Sequence, residues 1–169
     1  MNLKLTTDAR KISWGFTMLE ILIGASIITA SFLGVLTVFD RLTKASRQMT
    51  ALTQAGFLLE EGLEVARIWR DNGWVNLGNW PAGTTYYLTW NGSRWATSTI
   101  NVFLDGKFER KISLANVSRD NSTKDIIPPA GGGGTLDVNT ELLTVTVAWP
   151  SGGATTTKTM SAYFTNLFN

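Results

Sequence analysis

Gly15-Phe16-Thr17-Met18-Leu19-Glu20 opens onto nineteen residues without a charge, Ile21 to Phe39. At about 1.5 Å of rise per residue, an apolar run of this length crosses the hydrocarbon of a bilayer as a helix. A plain anchor has no use for the acid at its start, because a carboxylate inside a spanning helix costs up to about 3 kcal/mol. Upstream, Lys4, Arg10 and Lys11 stand against Asp8 in a short, net-positive leader that ends on Gly15. Basic residues on that side hold the N-terminus in the cytoplasm and send the C-terminal part outward.

Other targeting segments fit less well. A secretory signal peptide has a shorter apolar core, followed by a small-x-small cleavage site. A lipid-modified leader needs a cysteine, and the chain has none. The glycine, the aromatic residue and the glutamate ahead of a long apolar run together resemble the processing signal of type IV prepilins and of type II secretion pseudopilins. The resemblance covers Gly15 to about Phe39. It implies that a prepilin peptidase cuts the Gly15–Phe16 bond and that the same enzyme methylates the new amine of Phe16. A glycine suits such a site because a residue without Cβ lets the backbone sit close in a protease cleft. On this reading Gly15→Val blocks processing.

Glu20 then gains a partner. Cleavage leaves a cationic amine on Phe16 at the head of an apolar helix, and Glu20 is an anion in the same surroundings. Each is costly alone, and paired across neighbouring subunits they offset one another. In related pilins that contact is thought to set subunit register. A bare glutamate reaching water at the headgroups is the plainer reading. Ala25 with Thr29, Ser26 with Ala30 and Ala30 with Gly34 add small residues at four-residue spacing, which lets helices approach closely in lipid. The implied partners are the peptidase, other pilin-like subunits, an inner-membrane assembly platform and membrane lipid.

Composition narrows the rest. The chain has 169 residues and a net charge of +2. Lys4, Arg10, Lys11 and Asp8 carry that whole excess, so the body after Gly15 is neutral and offers little footprint for nucleic acid. With no histidine and no cysteine, His-based triads, His-ligated metals and Cys nucleophiles are excluded by inventory. Glu60, Glu61 and Glu64 supply carboxylates, but nothing assembles a nucleophile, a base and an oxyanion donor, so no enzyme is expected. Asp120, Asp125 and Asp137 lack a recognisable calcium-ligand spacing and read as loop solvation. Three Asn-x-Ser/Thr matches, at Asn91, Asn116 and Asn121, read as chance. No cofactor is expected.

The predicted organisation is α+β, in four parts. Residues 1–15 are leader, 16–39 the membrane and assembly half of a helix, 40–73 its amphipathic half, and 74–169 an antiparallel β domain. After Asp40 the residues Leu42, Ala45, Met49, Leu52, Gly56, Leu59, Leu63 and Ala66 recur at three and four, a one-sided helical stripe that predicts the sheet-facing side. Asn72-Gly73 ends the helix. Asn91-Gly92 and Asp105-Gly106 predict hairpin turns between 86–90 and 95–100, and between 100–104 and 107–114. Leu143, Val145, Val147 and Trp149 alternate with polar or small residues as a strand, which Pro150 to Gly153 turns back into 155–164. Residues 118–139, with Pro128-Pro129 and Gly131 to Gly134, read as a flexible loop. Six tryptophans follow the leader. They read as stabilising aromatics rather than a carbohydrate platform, Trp149 above all.

The late residues Glu60 to Arg67, Trp149 and Tyr163 to Asn166 look loosely similar to minor pseudopilins. Many major pilins differ from this chain in having a proline in the membrane helix and a C-terminal cysteine pair. The resemblance therefore implies a type IV pilin-like fold and a minor subunit of a pilus or secretion pseudopilus. The alternative is a single-pass anchored extracellular binding domain that never polymerises.

Overall fold

The computed structural model describes Gly15, residues 17–127 and residues 132–167. Residues 1–14 of the leader, Phe16 and the Pro128-Pro129 pair lie outside the described residues. One long helix, α1, spans Met18–Asp71, and a four-residue helix, α2, spans Val75–Gly78. Seven strands follow: β1 (Thr85–Trp90), β2 (Trp95–Ser98), β3 (Phe103–Leu104), β4 (Phe108–Arg119), β5 (Ile126–Ile127), β6 (Thr135–Ser151) and β7 (Ala154–Thr165). The chain divides within α1 into two compact units, Met1–Ser46 and Arg47–Asn169.

In the second unit, the end of a long N-terminal apolar helix packs on an antiparallel sheet, an α+β layout. The strand order is β2-β1-β4-β6-β7, with β3 and β5 pairing the opposite ends of β4. Leu59, Leu63 and Ala66 of α1 join Ile112 and Leu114 of β4, Leu143, Val145, Val147 and Trp149 of β6, and Phe164 of β7 in one buried cluster. The alternation read in β6 is the core-facing side of the strand.

The turns follow local chemistry. Asp105 and Gly106 take φ of 51° and 63°, the left-handed pair of a tight hairpin. Asn91 accepts the backbone N–H groups of Ser93 and Arg94 on its side-chain oxygen, and Gly92 follows it at φ 92°. Gly73 stops α1 at φ 135°, donating its N–H to Arg70 O at 3.0 Å.

Two expectations need correcting. Residues 118–139 are not one loop. β4 continues to Arg119, β5 pairs with its end, and β6 starts at Thr135, with a bulge at Asn116/Val117 that shifts the β4–β6 register. Glycines and prolines concealed strand pairing that long-range hydrogen bonds impose. The helical stripe is also displaced in its first half: Leu59, Leu63 and Ala66 are buried as expected, but Leu42, Met49 and Leu52 are exposed, and Ala51, Ala55, Gly62 and Val65 are buried beside the expected members. Small residues face the sheet because they let the backbone come close, and Ala51, Ala55 and Gly62 each stand one residue before a position of the stripe. A Cβ on Gly62 would stand 2.7 Å from Val145 Cγ1.

Candidate functional site

The start of α1 is built by its own first turn. Thr17 accepts the Glu20 N–H on its side-chain oxygen at 3.3 Å, and its carbonyl accepts the N–H groups of Glu20 and Ile21 at 3.0 and 3.2 Å. Thr17 is thus the N-cap and Glu20 stands at the third helical position, the Thr-x-x-Glu arrangement of a capping box. The sequence reading passed over Thr17, although that spacing was the signal for it. An acid in the first turn also complements the positive end of the helix dipole.

That local role does not give the Glu20 carboxylate a partner. Its side chain makes no hydrogen bond or ion pair among the described residues, and it stands among exposed Met18, Leu19, Ile21 and Leu22. Gly15 is exposed, and a Cβ there would meet nothing within 4 Å. Packing among the described residues therefore makes no demand for glycine at this point. Phe16, the expected methylation site, lies outside the described residues.

From Met18 onward, α1 is long and apolar enough to cross a membrane, and the apolar window is nowhere buried by the chain itself. Its hydroxyls suit that setting. Ser26, Thr29 and Thr37 donate to the carbonyls of Leu22, Ala25 and Leu33 at 2.7, 2.8 and 2.9 Å. These three hydroxyls are satisfied four residues back within their own helix, as hydrocarbon favours. Gly24 and Gly34 have open space where a Cβ would be.

The other charged candidates are engaged elsewhere. Glu61 pairs with Arg110, Glu64 with Arg67, and Glu60 is exposed. Asp120 accepts the N–H groups of Ser122 and Thr123 at 2.7 and 2.9 Å, and Asp137 pairs with Arg119 at 2.6 Å. Among the described residues no three of His, Cys, Asp and Glu come together as a metal-binding group. Trp149 is buried; Trp69, Trp74, Trp80 and Trp95 pack partly buried against the core, and Trp90 is 53% exposed. The stabilising reading of the tryptophans therefore fits Trp149 well and Trp90 poorly. No protein-family model, characterised protein or solved structure matches this chain.

Proposed function

We propose that the chain is the precursor of a pilin-like subunit with a type IV pilin-like fold. A prepilin peptidase cuts it after Gly15, Phe16 is N-methylated, and the mature helix polymerises into a type IV pilus or a type II secretion pseudopilus, as a minor subunit. It sits as a single-pass inner-membrane protein, N-terminus inside, until assembly draws it into a periplasmic or extracellular filament. The reading makes the chain a peptidase's substrate and not a catalyst.

The observation that carries the proposal is the Glu20 carboxylate, which has no partner among the described residues, in the first turn of an apolar helix that no other described residue buries. A carboxylate there is expensive in lipid unless a cation meets it, and the freed Phe16 amine of a neighbour supplies one. Nothing among the described residues calls for glycine at position 15, which supports recognition from outside. The test is Glu20→Ala in cells carrying the assembly machinery. It is expected to be processed but left out of filaments; normal incorporation contradicts the role given to Glu20. The alternative, an anchored domain that binds and never polymerises, draws on the exposed tryptophan side of the second unit. It predicts an uncut chain.

A further inference from the structure

Beyond the buried core, the second unit carries an open groove of about 740 Å³. Its walls come from four places: the end of α1 with Trp69, α2 with Asn76, the segment after α2 with Trp80, and the β1–β2 hairpin with Trp90 and Trp95. That volume falls in the range of small-ligand sites. The rings are arranged in two pairs. Trp69 and Trp80 meet edge to face at 5.3 Å between centroids and 61° between planes; Trp90 and Trp95 do so at 5.4 Å and 64°. Trp90 and Trp95 are also direct cross-strand partners, which fixes their spacing in the hairpin. Trp95 is braced from behind by the Arg110 guanidinium, 5.2 Å from its ring centre.

The polar groups of the groove are available. None of these four indole N–H groups has an acceptor among the described residues, whereas Trp74, outside the groove, donates to Val138 O at 3.3 Å. Asn72 makes no side-chain hydrogen bond there, and Asn76 makes a single one, from its amide to Trp69 O at 3.4 Å. Arg94 is the one charged residue of the lining, and its guanidinium has no described partner.

We propose that this groove binds an oligosaccharide. Sugar rings have an apolar C–H face that lies against an aromatic face, and hydroxyls that both donate and accept. Indole N–H groups, side-chain amides and an arginine match that mixed edge. A polyproline segment also lies in aromatic grooves, but it lacks N–H donors and would leave the amide oxygens idle. Single-stranded nucleic acid stacks on tryptophan but needs a cationic track, and one arginine is too little. Arg94 sets a preference among glycans, favouring a uronate carboxylate over a neutral sugar at the same position. The groove and the Gly15–Glu20 segment are different parts of the chain, so this site stands whether or not the chain polymerises.

The test is titration of the full chain, in lipid nanodiscs free of sugar detergents, followed by tryptophan fluorescence and calorimetry. The probes are hexamers of β-1,4-linked glucose, of N-acetylglucosamine and of galacturonate, with decaproline and a short oligothymidylate as competitors. At least one hexamer is expected to bind saturably. Trp90→Ala, at an exposed position, is expected to weaken it about tenfold with the melting temperature unchanged. Arg94→Gln is expected to weaken galacturonate alone. The proposal is overturned if none of the three hexamers saturates at millimolar concentration, if Trp90→Ala binds like the parent, or if decaproline or the oligonucleotide binds tighter with the same Trp90 dependence.

Discussion

Arg110 stands on the core face of β4, in phase with Phe108, Ile112 and Leu114, and is 1% exposed. Its guanidinium pairs with Glu61, donates to Leu58 O at 3.4 Å and lies over Trp95, so it joins α1 to the sheet. Nε and Nη2 are buried without hydrogen-bond partners among the described residues. A buried charge in that position is tolerated because of its carboxylate, not because it adds stability. Glu61→Gln is therefore expected to destabilise the fold by about 1–3 kcal/mol, discounted because Glu61 is 44% exposed. Arg110→Met removes the buried charge and leaves the half-exposed Glu61 carboxylate to water, so it is expected to cost less than Glu61→Gln. Thermal unfolding of both variants checks the ordering, and a larger loss for Arg110→Met contradicts it. The alternation that placed Leu143 to Trp149 in the core would have placed Arg110 there too. A charged residue in phase with apolar ones was the signal.

Two carboxylates near the β6 entry respond to pH in opposite directions. Burial raises the Glu141 pKa, and the nearby Asp137 charge adds to it; Glu141 Oε2 has no partner. Burial also opposes ionisation of Asp137, but Arg119, Thr140 and the Asn139 N–H outweigh it and lower the pKa. For Glu141 the folded state holds the proton more tightly, so its contribution to stability grows as pH falls from neutral through its folded pKa towards the ordinary value near 4.5. For Asp137 the contribution is present above 3.8 and is lost as pH falls through its lowered folded pKa. Glu141→Gln is expected to raise the melting temperature at pH 7 and to remove the gain on mild acidification. A pH profile parallel to the parent's would contradict this.

At the scale of elements, α1 meets the sheet through small residues. Gly62 faces Val145, a stiff branched side chain that is fully buried, whereas Gly56 has open space at its Cβ position. Gly56→Ala is expected to stabilise the helix by about 0.5–1 kcal/mol through propensity alone. Gly62→Ala gains the same propensity but overpacks, and a net loss of about 1 kcal/mol is expected; Gly62→Val loses more. Combining Gly62→Ala with Val145→Ala is expected to recover part of that loss, and additive losses would contradict the contact. The ends of strands were less legible than their cores. Leu143 to Trp149 declared itself by period two, and the Asn-Gly and Asp-Gly turns by their conformational needs. The pairing of β5, the bulge at Asn116/Val117 and the early start of β6 depend on partners far along the chain, which no local pattern encodes. Likewise Ala51, Ala55 and Gly62 fall one residue off the three-and-four stripe, yet they are the small residues that face the sheet.

At the scale of the molecule, two surfaces among the described residues bear on function. One is the apolar first part of α1, with Glu20 at its head. The other is the tryptophan groove of the second unit. The first was legible because a long uncharged run with an acid at its start is rare and expensive. The second was legible only in part: Trp90 and Trp95 flank the predicted Asn91-Gly92 turn, but Trp69 and Trp80 join them only in the fold. Membrane insertion is expected to be sensitive at the centre of the run. Ile28→Arg should cost about 2.5–3.5 kcal/mol of insertion free energy and shift the chain out of the carbonate-resistant membrane fraction, while Leu42→Arg should not. Equal fractionation of the two would contradict the span.

The most direct measurement is the intact mass and N-terminal sequence of the chain after co-expression with a prepilin peptidase. A product that begins at Phe16 and carries one methyl on its amine is the expected result. A chain that still begins at Met1, beside a peptidase shown to be active on another substrate, contradicts the pilin-like reading and leaves an anchored domain.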